Sequence, residues 1–262
     1  MLSINENYSN LNPSYLFPEM KKRVSELLIN WPSDHIYNLG EGDTTQPLSS
    51  NVARAMVQKV KEMASGVSFM GYSDPVGLLK LRKSIAHYYA TNFKIPLDIS
   101  EIFISDGAKT DLFNIQTIFN DKMKIAIQDP SYPVYIDSIV INGRTEKKNQ
   151  IYDNLIFLNG TPENNFIPSL PKKRVDLFYL SFPNNPTGAV ATRKQLKEFV
   201  DYANENGSII IFDSVYSWFI REKNYPKSIY EIPEAEKCAI EIQSFSKSLF
   251  RFFDLSSRFV VI

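Results

Sequence analysis

With 262 residues, 44% hydrophobic and 22% charged, the chain has the composition of a soluble globular protein, long enough to bury a core in one or two domains. Lys plus Arg equals Asp plus Glu, 29 against 29, which argues against a nucleic-acid partner and against an anionic membrane surface. The single cysteine, Cys238, rules out an internal disulfide and fits a reducing compartment; set in Lys237-Cys-Ala-Ile-Glu-Ile242 it reads as a small buried hydrophobe. Met1-Leu-Ser-Ile-Asn-Glu-Asn-Tyr8 has neither a basic nor an apolar signal region, and no apolar run approaches the ~18 residues a bilayer requires. The expectation is a soluble, cytoplasmic protein. Lys172-Lys173-Arg174 follows Pro171 and reads as a solvated turn.

Pro18 to Ile29 is expected to be a helix, with Pro in its first turn and Met20, Val24, Leu27 and Leu28 on its apolar face. Ser49-Ser50 caps a second helix running to about Ala64. A third spans Gly77 to Phe93, with Leu78, Leu81, Ile85 and Tyr88 or Tyr89 aligned. Short apolar strands and helices then alternate. Strand Ile102–Ser105 leads to helix Ala108–Phe119, and strand Ile125–Gln128 to helix Tyr132–Ile141. Strand Val175–Leu180 leads to helix Thr192–Asn206, stopped by Gly207, and then to strand Ile209–Phe212; Ala239–Ile242 is a further strand. Residues 143–174 carry no clear pattern. Uniformly apolar strands joined by helices imply an α/β fold, a mostly parallel sheet covered by helices on both faces.

Ligands of such sheets sit beyond the carboxyl ends of the strands. The segments there are Ser105-Asp-Gly-Ala-Lys109, Asp129-Pro-Ser-Tyr132, Phe182-Pro-Asn-Asn-Pro-Thr-Gly188, Asp213-Ser-Val-Tyr216 and Ser244-Phe-Ser-Lys247. The first opens a helix, whose free amides suit a phosphate, although Asp-Gly also starts many ordinary helices. Neither a dinucleotide fingerprint nor a P-loop occurs. Asp213, at the end of a central strand, needs a partner of matching charge such as a pyridinium nitrogen, or else caps the next helix. Lys247 could be a desolvated nucleophile, while alone it reads as a surface lysine. Only the coincidence of all these loops, in one order, separates the alternatives.

That order resembles class I/II aminotransferases of fold type I, which use pyridoxal 5′-phosphate (PLP). Pro183-Asn-Asn-Pro-Thr-Gly188, Asp213-x-x-Tyr216 and Ser244-Phe-Ser-Lys247 match their signature. Leu39-Gly-Glu-Gly-Asp-Thr-Thr-Gln-Pro-Leu48, Tyr72, Ile102-Phe-Ile-Ser-Asp-Gly-Ala-Lys109 and Gln128-Asp-Pro-Ser-Tyr-Pro133 are similar to the L,L-diaminopimelate aminotransferase group. The resemblance covers roughly residues 8 to 249.

The resemblance implies Lys247 as the catalytic Schiff-base lysine, Asp213 on the pyridinium nitrogen, and Asn185 and Tyr216 on the ring hydroxyl. It implies Tyr132 stacked on the ring, and Ala108, Lys109, Ser244 and Ser246 around the phosphate. Tyr72 would reach the phosphate of a neighbouring subunit, making a homodimer, and Tyr15 and Gly42 would contact substrate. The implied reaction exchanges an amino group between L,L-diaminopimelate and 2-oxoglutarate, in lysine and peptidoglycan precursor synthesis. The implied domains are an N-terminal arm with part of a small domain over 1–48, and a large PLP-binding domain over 49–262.

The match ends after Leu249. The family continues Gly-Phe-x-Gly-x-Arg, with its phosphate-clamping Arg where this chain has Leu255, while Arg251 and Arg258 stand at other spacings. The chain reaches Ile262, so the C-terminal small domain and its substrate-carboxylate Arg are expected to be missing. A reading-frame displacement is one explanation: moved by one base, certain codons for Phe250 to Phe259 read Phe-Gly-Phe-Ser-Ile-Tyr-Arg-Leu-Gly. The expectation is weak PLP binding, little or no transamination, and an uncovered apolar surface that favours aggregation or rescue by a partner. Two other readings stay open, a non-catalytic remnant that dimerises or binds a partner, and a PLP enzyme of another type such as a lyase.

Overall fold

The computed structural model of the protein describes residues 3–11, 16–31, 47, 49–148, 151–248 and 258–261. Strands β1 (Ile102–Ser105), β2 (Ile125–Asp129), β5 (Leu155–Asn159), β6 (Leu177–Ser181), β7 (Ile209–Asp213), β8 (Ala239–Ser244) and β9 (Arg258–Val261) form one sheet in the order β1-β9-β8-β7-β6-β2-β5. Every pairing from β8 to β5 is parallel. Only β9 runs the other way, antiparallel to both β1 and β8, so β1 keeps the common direction. A small antiparallel pair, β3 (Lys147–Lys148) and β4 (Ile151–Tyr152), lies apart.

Helices cover both faces. Helix α6 (Arg193–Asn206) lays Leu196, Phe199, Val200 and Ala203 on Phe178, Leu180, Ile210 and Phe212. Its ends follow local chemistry. Thr192 and Gln195 form a capping box, and Gly207 ends the helix at φ 63, which a side chain would resist. On the opposite face α4 (Ala108–Asn114) and α5 (Val134–Ile141) pack Ala108, Leu112, Tyr135 and Ile139 on Ile127, Tyr179, Ile211 and Ile242. β6 is buried at every residue, which explains its unbroken apolar run.

Helix α2 (Ser50–Met63) starts at the expected cap, Ser49, and α3 (Leu79–Asn92) presses Ile85 and Tyr89 toward Ile102. The chain can enter α3 there because Gly77, at φ +98, lies against β1: a Cβ would sit 2.4 Å from the Cβ of Ile104. Three expectations need correction. The helix from Ala108 ends at Asn114 and tightens into a 3₁₀ turn, Ile115–Ile118, instead of running to Phe119. Leu78 precedes α3 and is exposed, so it does not join the buried row. Helix α1 (Leu16–Asn30) forms as expected, but Leu27 and Leu28 face outward.

Candidate functional site

All the parallel strands deliver their C-terminal ends to one rim, and hydrogen bonds tie the loops there to one another. Asn184 Nδ2 donates to the Pro130 carbonyl at 3.0 Å, joining the loops after β6 and β2. Ser214 N donates to Ile242 O at 3.0 Å, joining β7 to β8. The β9 register sets Arg258 opposite Ser105 on one side and Ser244 on the other, closing the gap between β1 and β8. Arg258, whose spacing alone does not fit the family's phosphate Arg, therefore starts its strand at the rim.

Asp213 ends β7 and is buried. Tyr135 OH donates to its Oδ2 at 2.7 Å and Val215 N to its Oδ1 at 3.1 Å. The second bond closes a local turn; Asp213 does not cap the next helix, since Ser217–Phe219 starts after Tyr216 with no side-chain cap. The first is not legible in the sequence. Burial above all, then the Asp213 charge and hydrogen bond, holds the Tyr135 phenol well above the usual tyrosine range. Tyr135 thus remains a donor across the working pH range. Its ring stacks on Tyr179, centroids 5.3 Å apart, and meets Tyr132 edge-on at 5.9 Å, so Tyr132 is held at the edge of the aspartate's surroundings.

Lys247 lies in the short helix α7 (Phe245–Ser248), with Nζ 5.4 Å from the centre of the Tyr216 ring. The structure therefore brings together two residues 31 positions apart, from the loops after β7 and β8. Ser244 Oγ and Ser246 Oγ lie 2.5 Å apart, and Ser246 N donates to Ser244 Oγ at 3.0 Å. Ala108 is buried at the start of α4, while Lys109 is exposed. Burial raises the carboxyl of Asp137 above the ordinary range and the Lys109 charge opposes that rise, so Lys109 acts beside α5.

Asn184 and Asn185 divide their roles. Asn184 is buried and its Nδ2 donates to both Pro130 O and Thr187 Oγ1, so it builds the loop. Asn185 is half-buried and makes no hydrogen bond among the described residues. Tyr72 is fully exposed, in a loop anchored by Arg82, which donates to Asp74 Oδ2 at 3.0 Å and to Gly77 O at 3.1 Å. Tyr15, Gly42, Arg251 and Leu255 lie outside the described residues. Glu241 is a residue that sequence reasoning misses: it is a fully buried carboxylate inside β8, detectable as the lone acid in an apolar strand. Among the described residues no metal-binding group of His, Cys, Asp or Glu occurs, and no helix is long and apolar enough to cross a membrane.

These residues suit PLP by their donor set: a buried carboxylate with one oxygen held by a phenol, an amine beside an aromatic ring, and paired hydroxyls at a strand end. Comparison with known proteins points the same way. The profile of the family described as aminotransferase class I and II matches residues 34–250. The chain belongs to that family. An LL-diaminopimelate aminotransferase from Desulfotalea psychrophila is 48% identical over 249 residues, 95% of this chain and 61% of the relative. The structure of an L,L-diaminopimelate aminotransferase from Chlamydomonas reinhardtii superposes with a TM-score of 0.88 at 40% identity, covering 99% of this chain and 64% of that one. Substrate-bound BacF from Bacillus subtilis gives a TM-score of 0.81 at 25% identity, covering 100% and 64%. The chain thus spans 61% and 64% of the two diaminopimelate relatives' lengths. Class I/II aminotransferases are PLP-dependent.

Proposed function

We propose that the protein is a PLP-dependent aminotransferase acting on an amino acid and a 2-oxo acid, with L,L-diaminopimelate and 2-oxoglutarate as the pair. The observation that carries this reading is the convergence of Asp213 and its Tyr135 donor with Lys247 and Tyr216 at one rim of the sheet. The similarity to two L,L-diaminopimelate aminotransferases supports the choice of substrates.

When bound, the cofactor supplies an electron sink for the negative charge left on the substrate Cα. The chain's residues do the rest. Asp213 would set a carboxylate against the ring nitrogen and keep it protonated, and the Tyr135 hydroxyl holds that carboxylate in place. Lys247 would hold the cofactor through its amine and carry the proton at the substrate Cα as general base and acid. Asn185 and Tyr216 would donate to the ring hydroxyl, and Tyr132 would cover one ring face. Ala108, Lys109, Ser244 and Ser246 would hold the phosphate. Tyr15 and Gly42 contact the substrate.

The same reading makes the protein a cytoplasmic homodimer in which Tyr72 serves the neighbouring subunit's phosphate. Its full exposure, with that of Val60, Val67, Phe69 and Met70 nearby in sequence, supports a covering partner. Residues 1–48 are read as an N-terminal arm with part of a small domain, and 49–262 as the large domain. The stretch from Glu6 to Asn10 already touches α5, since Asn5 Nδ2 and Asn7 Nδ2 donate to Ile141 O at 3.3 and 3.4 Å.

The test is spectroscopic first. PLP added to the purified chain should produce a visible band that Lys247→Ala abolishes. Glutamate formed from L,L-diaminopimelate and 2-oxoglutarate then separates an aminotransferase from a lyase. A chain with no Lys247-dependent band is no PLP enzyme.

A further inference from the structure

The face of β8 away from Asp213 and Lys247 carries a polar cluster that the proposed chemistry does not use. The carboxylate of Glu241 accepts from Tyr89 OH at 2.5 Å, Ser228 Oγ at 2.7 Å, Ile229 N at 2.8 Å and Gln243 Nε2 at 3.3 Å. All four donors are neutral. Gln243 is 4% exposed, and the same Nε2 also donates to Ser217 Oγ at 3.1 Å. Its Oε1 has no partner among the described residues.

This arrangement settles which way the Gln243 amide faces. Turned over, it would set its oxygen against the Glu241 carboxylate, oxygen against oxygen in a dry site. Held this way by Glu241, Gln243 presents an N–H to Ser217. Ser217 directly follows Tyr216 and opens the turn Ser217–Phe219. Gln243 directly precedes Ser244 and the α7 turn that bears Lys247. One side-chain hydrogen bond thus spans the two loops whose functional groups, Tyr216 and Lys247, meet at the rim of the sheet.

We propose that Gln243, oriented by Glu241, is a positioning residue that braces the Tyr216 loop to the Lys247 turn from behind the sheet. Its consequence for cofactor binding rests on the function proposed above; the brace itself does not. Ser214 N and Oγ both donate to Ile242 O at the strand ends; the Gln243 bond adds a side-chain tie beyond them, and a small relative shift of the two loops would change how both groups meet a ligand.

Gln243→Met keeps the side-chain length and apolar bulk while deleting the bond, and Ser217→Ala deletes it from the other end. Hydrogen exchange by mass spectrometry on the cofactor-free 262-residue chain reads the brace directly. Each variant should raise exchange about three- to tenfold in both segments 214–219 and 245–248, leave β6 unchanged, and weaken PLP affinity by a similar factor. The double variant should be no worse than the worse single one, because both remove the same bond. Unchanged exchange across 245–248 in Gln243→Met, or independent effects that multiply in the double variant, would overturn the proposal. Coupled exchange in a chain that binds no PLP upholds the brace and fails the cofactor reading instead.

Discussion

Adjacent strands β7 and β8 each bury a carboxylate, Asp213 and Glu241, on opposite faces, and each accepts from a buried tyrosine, Tyr135 at 2.7 Å and Tyr89 at 2.5 Å. The pairs are alike in chemistry and differ in place. Glu241 lies mid-strand, enclosed by α3 through Tyr89 and by the Ser228–Ile229 turn. Asp213 is the last residue of its strand, at the rim where the loops converge. Enclosure makes one carboxylate an anchor for packing; a strand end leaves the other facing the site. Position along the strand, more than residue type, separates structure from chemistry here.

The largest expected effect comes from Glu241→Leu, which strands several buried donors at once. Unfolding in urea should show a loss of about 3 kcal/mol or more. A loss below about 1 kcal/mol would mean that Glu241 anchors nothing.

Tyr89→Phe and Tyr135→Phe set the two pairs side by side. Each should lower stability by about 1.5–3 kcal/mol, the usual value of a hydrogen bond to a charged group, with the ring packing kept. Only Tyr135→Phe should also weaken PLP, by roughly tenfold, since a charge-assisted bond is then lost at the cofactor. Equal PLP affinity in the two variants would erase the distinction between anchor and site.

A pH series tests the anchor. Burial raises the Glu241 carboxyl above its ordinary 4.5, so the folded state holds that proton more tightly than the unfolded chain. The resulting stability is complete below the ordinary value and lost as pH rises through the raised one, with a slope of at most about 1.4 kcal/mol per pH unit. Urea melts of wild type and Glu241→Gln between acidic and neutral pH should differ by this slope. A wild-type excess of stability that grows with pH contradicts the assignment.

The smallest effect is expected from Ser228→Ala. It removes one donor to Glu241 and the cap of the turn Ile229–Glu231, about 1 kcal/mol by thermal melting, without a change in PLP affinity.

Much of the fold is readable along the chain. Ser49, Thr192 with Gln195, and Gly207 mark helix ends by local hydrogen bonding and backbone preference, and the structure uses each of them. The buried strands declare themselves as apolar runs. β5 does not, because its apolar run is only four residues long, Leu155 to Leu158, and Phe157 and Asn159 are exposed. β9 is unreadable for another reason: Arg-Phe-Val-Val becomes a strand by filling the gap between β1 and β8, a slot defined only by the rest of the sheet. The outward-facing Leu27 and Leu28 show the reverse limit, since periodicity marks an apolar face without saying what covers it.

The sequence alone determined the α/β class, the order of the strand-end loops, and the residue types offered there, since periodicity, caps and motifs are properties of neighbours along the chain. Tertiary structure decided which of those residues work together. Tyr135 finds Asp213 across 78 positions and Tyr89 finds Glu241 across 152, and the β9 register returns Arg258 to the side of Ser244. Such pairings depend on the packing of helices against a finished sheet, which no local window of sequence contains.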